Sequence, residues 1–194
     1  MNTRDAERRT LKAAVDRIAQ WAPSLVAIDG LPCSGKSTLA AMVGEKLGAT
    51  CVSLDEFVLP EADWPVNISP AFPFEYIRYD AFVSAIRSLA KHGMCSFAPF
   101  DWNTRQLAAT QRTVTSDRPV IVEGVSALNP VFRDAFDVAV FVDSDRATTL
   151  QAAIDRGVGA WEGEWRELFL PSVDLYMATE PQSRADLIVA GRGA

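Results

Sequence analysis

The chain has 194 residues, 48% hydrophobic and 23% charged, with a formal net charge of -6, the make-up of an ordinary globular domain and not of a disordered or fibrous chain. The acidic balance speaks against a non-specific grip on nucleic acid but leaves a small anionic ligand open, because a local nest of amides holds phosphate in an acidic protein. No apolar run approaches the ~20 residues that a membrane helix needs.

Met1 to Asp5 is polar and has no signal-peptide core, so a cytoplasmic location is expected. Leu11, Val15 and Ile18 recur at helical spacing within residues 4–21 and end at Trp21, which predicts an amphipathic helix within residues 1–22. Pro23 stops it, and Leu25 to Ile28 then reads as a parallel strand buried on both faces. A glycine-rich loop follows, and after it Leu39, Val43 and Leu47 mark a helix closed by Gly48.

A second strand is expected at Thr50 to Leu54, then an irregular, proline-rich excursion over residues 55–73, of a length that is usually functional or disordered. Phe82, Ile86 and Leu89 set a helix that closes near His92-Gly93. Residues 94–100 read as a strand or hairpin, and the rest up to 116 as a polar connection. Val120 to Val122 and Val138 to Val142 are further buried strands, ending at Glu123 and Asp143. Asp145 to Arg156 and Trp165 to Thr179 are expected helices, the second despite Pro171, and Leu187 to Val189 a last strand. Strands alternating with helices imply an α/β layered domain with a mainly parallel sheet.

Gly30-Leu31-Pro32-Cys33-Ser34-Gly35-Lys36-Ser37, with Thr38 beyond, fits G-x-x-x-x-G-K-[ST] between that strand and that helix. The glycines let successive amides face a phosphate, and the helix dipole adds positive potential. Lys36 is placed for the β- and γ-phosphates of ATP and the Ser37 hydroxyl for Mg2+. Cys33, Cys51 and Cys95 read as reduced thiols, with Cys33 either loop filler or a redox-sensitive thiol. His92 with Cys95 falls short of the four ligands of a zinc site. Ligands gather beyond the carboxyl ends of parallel strands, which draws attention to Asp29, Asp55, Glu123 and Asp143. Asp143 looks most like a helix cap.

Ile28-Asp29-Gly30 with the loop, Leu54-Asp55-Glu56-Phe57 with Pro60, Ser96 to Trp102, Val120 to Val125 and Ala185 to Val189 together resemble the uridine kinase-like group of P-loop kinases over roughly residues 24–190. The resemblance implies a P-loop NTPase three-layer sandwich with a five-stranded, mainly parallel sheet. It also implies one kinase domain over residues 1–194, with a lid at about residues 152–170. The activity implied is transfer of the γ-phosphoryl group of ATP to a small hydroxylated acceptor, best matched by a nucleoside such as uridine. Asp55 would be the general base, Arg156 a lid cation and Glu123 a direct or water-mediated Mg2+ ligand. Phe100, Asp101 and Trp102 would line the acceptor pocket, Trp102 being equally readable as a core or rim residue. Arg78, Arg105 and Arg112 are either acceptor contacts or plain surface.

Ala152-Ala153-Ile154-Asp155-Arg156-Gly157 departs from the group's Arg-x-x-x-Arg-Asp lid, keeping Arg156 but having Ala152 and Gly157 at the other two positions. Arg146 or Arg166 are candidates to compensate. Phe100 stands where the group has tyrosine, and no acidic ribose contact is evident near Ile77-Arg78. The alternatives are an ATP-binding regulatory or vestigial protein and a partner-coupled ATPase. The sequence leaves room for a homo-oligomer.

Overall fold

A computed structural model describes residues 9–157 and 161–194; residues 4–8 of the expected first helix and 158–160 of the expected lid lie outside the described residues. Helix α1 runs Leu11–Trp21, starting later than expected because Thr10 caps it, accepting the amide of Ala13. Strand β1 (Leu25–Gly30) leads through the glycine-rich loop into α2 (Lys36–Leu47), which ends on Gly48. Strand β2 (Thr50–Ser53) passes into a 3-10 turn, Leu54–Phe57, and the proline-rich excursion holds a second one, Glu61–Asp63. Helix α3 is Tyr79–His92, stopped at Gly93.

The stretch expected to be one strand or hairpin and a polar connection is richer. Strand β3 (Met94–Phe97) pairs antiparallel with β6 (Arg112–Thr115), and between them β4 (Phe100–Asp101) pairs with β5 (Gln106–Leu107). These strands have two to four residues each, too few for a period to emerge from the polar sequence around them.

Strand β7 is Val120–Glu123 and β8 is Val138–Asp143. Helix α4 (Arg146–Arg156) is capped by Asp145, which accepts the Thr148 amide, so the capping expected of Asp143 belongs to Asp145. A short α5 (Glu162–Glu164), a π-helical turn (Trp165–Phe169) and α6 (Leu170–Met177) form a continuous helical path. Pro171, which has no N–H to give to the preceding turn, falls just where the π-helical turn passes into α6. Strand β9 is Leu187–Ala190.

The main sheet has five strands, all parallel, in the order β2-β7-β1-β8-β9. Alternation along the strands divides the core in two. Leu25 and Ala27 join Val52, Phe82, Ile86 and Tyr176 on the side of α3 and α6. Val26 and Ile28 join Ile18, Leu39 and Val43 on the side of α1 and α2. Each such fully buried aliphatic side chain contributes about 1.5–3 kcal/mol. The result is the three-layer α/β sandwich of the P-loop NTPases. Its strand order reverses about β1, so the carboxyl ends of β2, β7 and β1 open side by side. Among the described residues, no helix is long and apolar enough to cross a membrane.

Candidate active site

The glycine-rich loop turns where the carboxyl end of β1 meets β8. A Cβ on Gly30 would stand 2.4 Å from the carbonyl oxygen of Val142, so no side chain fits there. Gly35 has φ 109° and faces open space, leaving room over the start of α2 for an anion. Lys36 is buried, and its Nζ donates to the carbonyl of Leu31 at 2.7 Å. Burial lowers its pKa, while Glu123, Asp29 and Asp55 pull the other way.

Asp29 sits fully buried beneath the loop. Its carboxylate accepts the amides of Gly30 (2.6 Å), Ser126 (3.1 Å) and Leu128 (2.9 Å) and the hydroxyl of Tyr176 (2.5 Å). It thereby ties together the loop, the segment after β7, and α6. Burial pushes its carboxyl up despite those donors.

Glu123, at the end of β7, accepts the hydroxyls of Ser53 (2.8 Å) and Ser37 (3.4 Å) on the same oxygen, Oε1. Parallel pairing puts Glu123 level with Ser53 on one side and Ile28 on the other. Desolvation raises its carboxyl, opposed by Lys36. Two hydroxyls and a carboxylate are hard oxygen ligands of the kind that suit Mg2+.

Asp55 lies on the 3-10 turn after β2. Gly124 allows that turn to approach: a Cβ there would lie 2.4 Å from the Cβ of Leu54. The turn is held from behind. Ser53 and Glu56 form a capping box, Arg112 pairs with Glu56 and donates to the carbonyl of Cys51, and Arg78 donates to the carbonyls of Glu56 (3.0 Å) and Ala98 (2.6 Å). Asp55 opens into the cleft but is crowded by protein, and desolvation raises its carboxyl against the pull of Lys36 and Arg156.

These groups line one cleft of about 1060 Å³, shared by Lys36, Ser37, Asp55, Glu123, Arg156 and Trp102. The other acceptor candidates lie outside its lining. Arg78 and Arg112 brace the Asp55 turn, and Phe100 is buried edge-on against Trp102. Asp101 accepts the Asn103 amide and shapes the β4–β5 turn, while Arg105 pairs with Glu61 at the rim. The candidate replacements for a lid arginine are engaged elsewhere, Arg146 with Asp174 and Arg166 with Glu162, and neither lines the cleft. Cys51 and Cys95 are inert thiols: desolvation pushes Cys51 up to about 12 and raises Cys95.

Sequence reasoning missed an aromatic wall facing Asp55, made of Phe74, Tyr76, Trp161, Trp165 and Phe169. Trp161, Trp165 and Phe169 recur every four residues, a helical stripe that was there to be found. Tyr76 lies close enough to Asp55 for that carboxylate to add to the upward push of burial on its phenol. Also missed was Arg192, after β9, whose amide reaches the carbonyl of Ser34 and which lines the cleft with Lys36 and Arg156.

No protein-family model matches the chain. A uridine kinase of Leuconostoc citreum (strain KM20) is 25% identical over 166 residues, covering 81% of this chain and 77% of its own. A uridine kinase of Ligilactobacillus salivarius (strain UCC118) is 28% identical over 195 residues, covering 88% and 86%. The solved structure of a possible uridine kinase from Bacillus stearothermophilus superposes with a TM-score of 0.69 at 20% identity, covering 92% of this chain and 98% of that one.

Proposed function

We propose that this chain, a P-loop kinase of the uridine kinase-like type, transfers the γ-phosphoryl group of ATP to a hydroxyl of a small neutral acceptor, best matched by a nucleoside such as uridine. The observation that carries the reading is the convergence of Lys36, Asp55, Glu123 and Arg156 on one cleft. In the proposed reaction the acceptor oxygen attacks the γ-phosphorus in line, its proton passes to the Asp55 carboxylate, and the bond to the departing ADP oxygen breaks. Lys36 exchanges the Leu31 carbonyl for phosphate oxygens, and Arg156 offsets charge on the transferring group. Ser37 and Glu123 would hold Mg2+, which supplies charge neutralisation when bound.

The acceptor class is argued from the other end of the cleft. Among the described residues the cations lining the cleft are Lys36, Arg156 and Arg192, and the aromatic wall carries no charge. Flat rings there suit a base or the face of a sugar, whereas a phosphorylated acceptor would call for a second cationic site. A second reading, an ATP-binding protein with slow or no transfer, is favoured by the commitment of Arg146 and Arg166 to other partners.

The two readings separate in one assay. Nucleosides and small hydroxylated metabolites are offered with Mg-ATP and product mass is measured, with Asp55→Asn alongside. Transfer to at least one neutral acceptor is expected, falling by about 10²–10⁴-fold in the variant while ATP affinity holds. Affinity for Mg-ATP without any product would establish the second reading, and undiminished transfer by Asp55→Asn would remove Asp55 from the mechanism.

A further inference from the structure

Three stretches far apart in the chain meet on one carboxylate at the edge of the aromatic wall. Glu61, in the proline-rich excursion, accepts the indole N–H of Trp161 on Oε1 at 2.7 Å, and the same oxygen pairs with Arg105 from the β4–β5 turn. The guanidinium of Arg105 lies over the Trp161 ring, 4.7 Å from its centroid. The indole is also ringed by aromatic neighbours: Trp102 at 5.8 Å, Phe169 at 6.0 Å and Trp64 at 6.3 Å between centroids. Trp64 is itself fixed by its N–H to the carbonyl of Leu59 at 2.8 Å. Trp161 thus lines the cleft together with Asp55 and Trp102, and Glu61 and Arg105, which lie outside that lining, hold it in place.

We propose that Glu61 is a positioning residue that latches the Trp161 segment closed over the acceptor. This rests on the kinase reading above and goes beyond it in assigning the closure to Glu61, Arg105 and Trp161. The side chains of Glu61 and Arg105 are each 46% exposed, so water competes for every polar contact of the latch. A contact set of that kind opens and recloses to admit acceptor and release product, and does not staple the site shut. Closed, it keeps water from the γ-phosphate, so that the acceptor hydroxyl and not water is the nucleophile.

The variants divide these roles. Glu61→Ala removes both contacts. Glu61→Gln keeps an oxygen for the indole N–H but drops the charge that engages Arg105. Trp161→Phe keeps a ring and loses the N–H. For Glu61→Ala the acceptor KM is expected to rise about two- to fivefold, the scale of losing an exposed charged contact. ATP hydrolysis without acceptor should rise as well, with the KM for ATP unchanged because Glu61 is not among the residues that line the cleft with Lys36. Glu61→Gln should fall between Glu61→Ala and the wild type, and Trp161→Phe should follow Glu61→Ala in acceptor KM. A merely structural role would lower kcat and stability together without splitting the two KM values.

Backbone hydrogen exchange gives a readout that needs no turnover: residues 161–169 should exchange faster in Glu61→Ala while β1 and β7 keep their protection. If the wild type phosphorylates no acceptor, the kinase reading falls and exchange alone decides the latch. Unchanged exchange at 161–169 overturns it. So does faster exchange with an unchanged acceptor KM in an active enzyme.

Discussion

Asp55 is set in place from both sides, by residues of the cleft and by two arginines outside its lining. Gly124 admits its turn, Arg112 and Arg78 clamp the turn through Glu56 and nearby carbonyls, and Lys36 and Arg156 face it across the site. Although Asp55 is exposed to the cleft, the protein crowded around it raises its carboxyl above the unfolded value. A carboxyl with a raised folded-state pKa binds its proton more tightly when folded, so its contribution to stability declines as pH climbs from the ordinary carboxylate range through the raised value. Asp29 and Glu123 shift in the same direction. Asp55→Asn, which cannot ionise, should therefore melt higher than the wild type at neutral pH, and the gap should close toward pH 4. Thermal denaturation across that range measures it directly; a variant that melts lower at neutral pH would mean that Asp55 is stabilised by its neighbours and not strained among them.

Between elements, the contact that matters most is Asp29 with Tyr176. It joins the end of β1 to α6, the helix that continues from the Trp161 segment, and both side chains are fully buried. Tyr176→Phe keeps the ring among Phe72 and Phe74 and removes one donor from a buried carboxylate. The expected loss is about 1–3 kcal/mol by denaturant unfolding, and no loss would mean that the backbone amides alone satisfy Asp29. Nothing in the sequence announces this pair, since the partners are 147 residues apart. What could be read was local: continuous apolar runs for β1, β7 and β8, the fixed spacing of the phosphate loop, and acidic residues at strand ends. What could not be read was carried by long-range pairing. Arg78 and Arg112 look like free surface cations until Glu56 is brought beside them, and β5 and β6 look like a polar connection until β4 and β3 pair with them. The apolar period of the first helix gives no sign that Thr10 caps it.

At the scale of the molecule, the cleft is walled by the phosphate loop, the turn after β2, the end of β7, α4 and the helical path through α6. A ligand that fills it touches the start of α2 and, through Leu54, Phe74 and Val173, the core on the side of α3 and α6, so its binding energy should appear as stability of the whole fold. Mg-ATP at a hundred times its Kd should add about 2.7 kcal/mol, roughly 5–11 °C for a domain of this size. Lys36 tests whether the phosphate loop is the source. Its amine is buried and its pKa lowered, so the fold disfavours the ammonium, which is better solvated in the unfolded chain. The sign follows: stability held back by Lys36 at neutral pH is recovered as pH rises through the lowered pKa. Lys36→Met removes that burden while filling similar space. The variant should melt at or above the wild-type temperature without nucleotide, and lose most of the Mg-ATP shift. Scanning fluorimetry with and without Mg-ATP measures both quantities in one experiment. An unliganded variant that melts well below the wild type would show that Lys36 pairs with Glu123 and Asp55 more strongly than its burial costs, and a full Mg-ATP shift in the variant would place the nucleotide away from this loop.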